Sequence, residues 1–251
     1  MKKFITILLI SALSYLALPA KDFNNEVLNY KVEYKWGLVN KKAGNVRVSL
    51  TNKGDRFAGT LTASSASWAD KFYKVRDTLQ CEVEKDGFRP VFYQKISHEG
   101  GDDKHDYIAY SRMGSIVTGN CTRKKWNDGK LTRDESKVLQ AEGTTVDMLS
   151  AFFYMRTLPF ASWEKGHVHT VNIFSGKRKE LLTIKYNGQE NVEYDNKSYK
   201  CYHIKFTFTS DGKKKTSDDL DAWIDVTGSN IPIKLEGKLP IGKIRCFYEP
   251  Q

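Results

Sequence analysis

The chain has 251 residues and a formal net charge of +10, with 40 Lys+Arg against 30 Asp+Glu. That length suits one large β domain or two closely joined halves. After the first 18 residues no apolar run reaches the roughly 20 residues a membrane-spanning helix needs, which excludes an integral helical membrane protein.

Lys2-Lys3, the apolar run 4–18 and the small residues at Pro19-Ala20 have the three-part layout of a secretory signal, with cleavage expected after Ala20. Residues 21–251 are then the mature chain, a single β-rich domain. Loss of 1–20 removes two lysines and no acid, so the charge falls to +8. An exported, soluble basic protein of the periplasm or envelope meets no nucleic acid routinely; anionic headgroups, acidic glycans or acidic partners suit it better. The basic clusters Lys41-Lys42, Arg123-Lys124-Lys125, Lys177-Arg178-Lys179 and Lys213-Lys214-Lys215 fall near predicted hairpin ends, where lysine keeps edges solvated. In a plain meander that turns at Gly188, the clusters at 177 and 213 belong to opposite ends of the sheet, which argues against one basic rim.

Period-two alternation dominates. Leu28, Tyr30, Val32, Tyr34 and Trp36 share one parity against Asn29, Lys31, Glu33 and Lys35, the pattern of a strand apolar on one face only. Val46, Val48 and Leu50 continue it, then Phe57, Leu61 and Ala63. Asp86-Gly87, Asp128-Gly129 and Asp211-Gly212 are hairpin signals, and Gly114, Gly176, Gly188, Asp195-Asn196 and Gly228 mark further turns. Roughly fourteen strands result, the density of a sandwich, barrel or large curved sheet. Tyr30, Tyr34, Trp36, Phe92 and Trp223 are placed on the inward parities.

Two segments depart from alternation. Residues 65–75 predict a short helix with Trp68, Phe72 and Val75 at helical spacing. A clearer helix spans 146–158, with Thr145 as cap, Asp147 in the first turn, Leu149, Phe152, Phe153 and Arg156 following, and Pro159 as the stop. So aromatic a face must cover a sheet or plug a concave opening. Arg156 is expected to pair with Asp77 or Glu99 and orient the helix. A faint echo between 81–100 and 221–242, each with a proline opening its second strand, suggests two merged halves, about 21–143 and 144–251.

Cys81, Cys121, Cys201 and Cys246 are an even number in an oxidising compartment and allow three pairings. In a flat meander Cys81 and Cys121 sit three strands, about 14 Å, apart and about five residues out of row, while a disulfide needs Cα atoms roughly 4.4–6.8 Å apart. Local pairing fails, so a bridge requires sheet closure, face-to-face packing or a pairing between halves; the other reading is buried free thiols. His167-Val168-His169 puts two imidazoles on one strand face, a spacing that suits zinc or copper only with a third ligand, and no metal or cofactor is expected. There is no P-loop, Gly-x-Gly-x-x-Gly or Gly-x-Ser-x-Gly motif, and Ser150 lies among aromatic neighbours. Asp77, Glu99, Glu190 and Asp225 are carboxylates of the kind that pair in glycosidases, but no spacing favours them. No catalytic residue is assigned.

Taken in order, Ala43-Gly44, Arg76-Asp77-Thr78, Pro90, Glu99-Gly100, Asp147-Met148-Leu149-Ser150 with Tyr154 and Arg156, Gly166, Gly188-Gln189-Glu190, Trp223 with Asp225, Asn230-Ile231-Pro232 and Gly242 resemble the bacterial "domain of unknown function 3108" proteins, over nearly the whole mature chain. The resemblance implies a large antiparallel β fold and an exported location, and no activity. Trp223-Ile224-Asp225, a turn, then Ile231-Pro232-Ile233-Lys234 is also similar to a hairpin of periplasmic lipoprotein carriers, half-open barrels with an apolar cavity; this is likeness of fold only.

The expectation is therefore an all-β protein with one or two short helices, built as a strongly curved antiparallel sheet or open barrel. Its expected role is that of a non-catalytic binding or carrier module for an apolar or lipid-like ligand, with Trp36, Arg76, Asp77, Glu99, Arg156 and Trp223 as candidate binding residues. The alternative is a structural or interaction protein with a filled core and an envelope protein as partner. An envelope-polymer hydrolase is third.

Overall fold

The computed structural model describes residues 23–210, 214–215 and 219–250. The expected signal segment and the Asp211-Gly212 turn lie outside the described residues. Sixteen strands form one sheet. β1 (Glu26–Trp36), β2 (Val39–Asn52), β3 (Arg56–Ser65), β4 (Val75–Glu84), β5 (Pro90–Glu99), β6 (Asp102–Met113), β7 (Ile116–Asn127) and β8 (Lys130–Glu142) make an antiparallel meander. A second runs through β9 (Thr145–Asp147), β10 (Val168–Phe174), β11 (Lys179–Tyr194), β12 (Lys197–Ser210), β14 (Leu220–Asp225), β15 (Pro232–Lys238) and β16 (Lys243–Glu249). The two-residue β13 (Lys214–Lys215) pairs with β12, and β9 joins β10 in parallel. β1 pairs with β16, so both chain ends meet in the middle of the sheet and β8 and β9 are its edges.

The sheet curls until those edges nearly meet. Asn172 Nδ2 on β10 donates to the Glu142 and Thr144 carbonyls at 2.9 and 3.2 Å, and Lys137 Nζ on β8 reaches the Lys177 carbonyl at 2.8 Å. A nearly closed barrel follows, as expected for a strongly curved antiparallel sheet. It removes most of the unpaired edge an open sheet of this size would present.

Turn chemistry sets the strand ends. Asp128 and Gly129, and Asp195 and Asn196, all have positive φ, the pair of left-handed residues a tight two-residue hairpin requires. Gly188 is no turn. It lies inside the 16-residue β11, where the pairing slips between Tyr186 and Gly188, so it is a bulge. One fewer reversal puts Glu180 opposite Ser210, and the clusters at 177–179 and 214–215 share one end of the barrel. The turns at 37–38, 100–101, 128–129 and 239–242 lie at that same end, here the upper rim. The described residues of all four basic clusters are at or beside it, contrary to the expectation of opposite ends for 177 and 213.

Register also corrects the faces. Trp36 is 59% exposed at the first hairpin tip. Phe92 points outward with Tyr107, while its neighbour Tyr93 is buried. Trp223 lies on the outer face, because the inward residues of β14 are Ala222 and Ile224. Both strand pairs contain a register shift beside a proline, Val83 opposite Pro90 and Ile224 opposite Pro232, so parity read straight through from one strand fails in the next. The two hairpins are alike in this irregularity.

The interior is filled from within by α2 (Ser150–Met155); the other short helix, α1 (Ser67–Asp70), sits on the upper rim. α2 is shorter than the 146–158 expected, because Thr145–Asp147 are held as a strand on β10. Its cap is Asp147 rather than Thr145: Oδ1 accepts from Leu149 N at 2.8 Å and Ser150 N at 2.7 Å, while Asp147 N donates back to Ser150 Oγ at 2.8 Å. Phe153 is fully buried and drops onto Gly59, where any Cβ would come within 2.6 Å of its ring. Gly119 receives Phe174 in the same way, at 2.7 Å. A bare strand residue under each ring makes the close approach possible. At the other end of α2, Arg156 is 1% exposed and paired with Glu26 of β1, with Nη2 also donating to the Ser229 carbonyl at 3.2 Å. Its partner is thus neither Asp77 nor Glu99.

All four cysteines are free thiols, so a bridge is not formed. The register puts Cys81, Tyr93, Ile108 and Cys121 in one row on four successive strands; three strand spacings, not row offset, keep the thiols apart. Cys201 faces outward and Cys246 inward.

Asp147 is fully buried, and burial pushes its carboxyl up to about 6 despite the hydrogen bonds from Ser150 and Leu149. A carboxyl raised on folding stabilises the native state when protonated, and that contribution is lost as pH climbs from the unfolded value through about 6. Asp147→Asn keeps the accepting Oδ1 without the charge. The stability of the variant relative to wild type is expected to rise by about 3 kcal/mol between about pH 3.5 and 7 in urea titrations. A difference flat across that range would contradict the assignment.

Candidate functional site

Pairing register arranges inward side chains in rows across the first meander. A low row, Leu50, Gly59, Cys81, Tyr93, Ile108 and Cys121, is apolar throughout and packs around α2. The next starts apolar with Leu28, Val48, Leu61 and Leu79, then turns charged with Lys95, Asp106 and Arg123. The row above it carries Asp77, Ser97, Lys104 and Lys125. One wall of the upper interior, β4 to β7, is therefore a continuous ionic surface.

Lys95 is its hub. Its Nζ lies 3.0 Å from Asp77 Oδ2 and 2.9 Å from Glu99 Oε1, and Lys104 Nζ meets Glu99 Oε2 at 3.2 Å. Lys125 extends the chain to Asp102 at 2.8 Å, and Arg123 pairs with Asp106 at 2.7 Å. Burial and then the neighbouring Glu99 raise the Asp77 carboxyl above its ordinary value. Burial acts the same way on Glu99 but is outweighed by hydrogen bonds from Lys95, Asp77 and Lys104, which hold it at about 2. Asp77 Oδ1 and Ser97 Oγ are opposite one another across the ladder, both buried without a protein partner. Two adjacent carboxyls held at different acidities can accept and donate hydrogen bonds side by side.

The upper interior is apolar elsewhere. Val32, Tyr34, Leu61 and Leu79 from the first meander, and Phe206, Phe208, Leu220, Leu235 and Ile244 from the second, are only half-buried on the inward parity. Below them α2 and its clusters close the barrel floor, with Phe153, Leu149, Ile173 and Ile184 at 1% exposure or less.

Of the six residues the sequence singled out, the structure brings together Asp77 and Glu99. Arg76 faces outward and clamps α1, with Nη2 2.7 Å from Asp70 Oδ2 and Nη1 3.1 Å from Oδ1. It borders a shallow groove of about 730 Å³ on the outer face, with Asn29, Arg47, Thr62 and His98. Arg156 belongs to the floor and Trp36 to the upper rim. Trp223 stacks on His203 at 4.8 Å, carries Lys234 over its ring and donates to Glu190, under the β11–β12 hairpin that the Gly188 bulge bends across the outer face. His169 hydrogen-bonds Tyr154 at 2.9 Å, and Trp163 stacks on His167 at 4.3 Å. Lys95, Lys104, Asp106 and Arg123 were not anticipated. Their one trace in sequence is that the inward parity of β5 turns polar after Tyr93, at Lys95, Ser97 and Glu99.

Lys95→Met would leave Asp77 without its cation beside Glu99, which keeps only Lys104. A loss of about 2–3 kcal/mol in denaturant unfolding at pH 7 is expected, and adding Asp77→Asn is expected to restore at least half. A neutral Lys95→Met would show that the network is not held through this residue.

A crystal structure described as a β-barrel-like protein of the domain of unknown function DUF1849 from Brucella abortus is similar to this fold. It covers 92% of this chain and 98% of its own at a TM-score of 0.63 and 9% identity, a likeness of fold alone. No curated protein matches the sequence. The family model described as "Protein of unknown function (DUF3108)" matches residues 29–247. The resemblance read from the motif order therefore holds, and the chain belongs to the DUF3108 family.

Proposed function

We propose that this is a non-catalytic binding module of the cell envelope whose upper mouth takes an amphipathic, lipid-like ligand. The observation that carries the reading is the unequal filling of the barrel. Its floor is sealed by α2, while the inward apolar residues nearer the upper rim, Leu61, Leu79, Phe206, Phe208 and Leu235 among them, stay half-buried beside an ionic wall. Apolar lining with a few convergent polar groups is the common character of small-molecule sites. Here the acyl part would lie along the apolar side and a polar head against the Asp77–Lys95–Glu99 network. The secretory layout of residues 1–20 and a basic mature chain support an exported location. Among the described residues no helix is long and apolar enough to cross a membrane.

A second reading, an envelope interaction protein, draws on β8, whose residues 130–138 are all exposed. That edge carries Lys130, Arg133, Asp134, Glu135 and Lys137, charges that discourage strand addition by another chain, so the mouth is favoured over the edge. In titrations with a fluorescent fatty-acid analogue, wild type is expected to bind saturably, and Phe206→Asp to bind at least tenfold more weakly with an unchanged melting temperature. Absence of saturable binding, with native mass spectra of the gently purified protein showing only the bare chain, would overturn the proposal.

A further inference from the structure

The upper rim bears large apolar side chains where turns are ordinarily polar. Trp36 is 59% exposed, Leu38 104%, Val39 49%, Phe72 83%, Leu239 40% and Ile241 63%. Exposed aromatic and aliphatic residues gathered on loop tips mark a contact surface rather than a packing need.

These tips are adjacent. Tyr34 Oη donates to the Ile241 carbonyl at 3.2 Å, and a Cβ on Gly242 would stand 3.2 Å from Trp36 Cβ, which joins the 239–242 turn to the first hairpin. Trp68 Nε1 donates to the Lys42 carbonyl at 2.6 Å and its ring lies 6.3 Å from that of Phe72, which joins α1 to the same hairpin. Lys41, Lys42, Lys71, Lys74 and Lys238 surround the patch, all exposed and without a carboxylate partner among the described residues. The nearest acids are engaged: Asp70 with Arg76, and Glu236 with Lys234 and Lys243.

We infer that the upper rim docks on an anionic bilayer surface, inserting the tips at Trp36, Leu38, Phe72 and Ile241 into the interface while the lysine ring meets acidic headgroups. Charge complementarity selects this occupant. Lysines free of carboxylate partners around a shallow apolar crown, Lys41 lying over the Trp68 ring at 4.5 Å, match a surface that is negative at the headgroups and apolar beneath, with each lysine adding to the attraction and tryptophan at home at headgroup depth. The inference stands apart from ligand binding in the mouth, since it uses only the outside of the turns.

Co-sedimentation of the full chain with phosphatidylcholine vesicles, with and without 30% phosphatidylglycerol, tests it. Partitioning is expected to be at least tenfold stronger on the anionic vesicles, to fall in 0.5 M NaCl, and to drop at least tenfold in a Trp36→Ser/Leu38→Ser variant with an unchanged melting temperature. Met113→Ser, which removes an exposed apolar residue from the opposite rim, is expected to bind as wild type does. Equal partitioning on the two lipid compositions, wild-type binding by the double variant, or a loss of binding in Met113→Ser as large as in the double variant would overturn the inference.

Discussion

A sheet of this many strands rolled nearly into a barrel encloses more space than its inward side chains fill, so the fold depends on what occupies the interior. That occupant is α2, a helix of under two turns whose own propensity could not sustain it in water. It is held at both ends by buried polar contacts. Asp147 gathers the helix start, and Arg156, pinned to Glu26 and to the Ser229 carbonyl, fixes its exit against β1 and the β14–β15 turn. Between them Phe153 sits on the bare backbone of Gly59 and stacks with Phe88 at 6.2 Å. An uncompensated buried guanidinium is strongly destabilising, so Arg156 and Glu26 make this placement of the helix specific.

The same arrangement divides the interior. Below, aromatic and aliphatic side chains from both meanders close on the helix and exclude water. Above, the helix no longer reaches, and the concave face carries half-buried apolar residues on one side and the Lys95-centred network on the other. Such a network persists in a partly buried place because its charges are paired, with Lys95, Lys104 and Arg123 each shared between two carboxylates. The rim above it is basic and tipped with apolar residues, so the mouth opens toward whatever surface the rim meets.

Much of this was legible in sequence, and the rest failed for physical reasons. Alternation gives each strand its two faces, and the Asp-Gly and Asp-Asn pairs give hairpins, so the all-β curved sheet could be read directly. Register could not. A glycine that reverses the chain and one that bulges a strand look alike, and taking Gly188 as a turn put the basic clusters at opposite ends. Bulges beside Pro90 and Pro232 shifted the parity by one, placing Phe92 and Trp223 on the wrong face. The aromatic face marks the helix in sequence, but its length and cap do not follow from it, because Thr145–Asp147 are claimed by β10, a long-range pairing with no local signature. The sequence offers Asp77 and Glu99 as candidate binding residues; what makes them a site is Lys95, which alternation alone marks only as a polar residue.

In this structure α2 is a fixed plug, built into the core and not a lid on it. Residue-resolved hydrogen–deuterium exchange of the native protein tests this directly. In a fixed plug the amides of Phe153 to Arg156 exchange only through global unfolding, together with the central residues of β3, β4 and β5, while strand ends at the upper rim exchange sooner by local opening. Fast exchange across the helix while the sheet remains protected would contradict it.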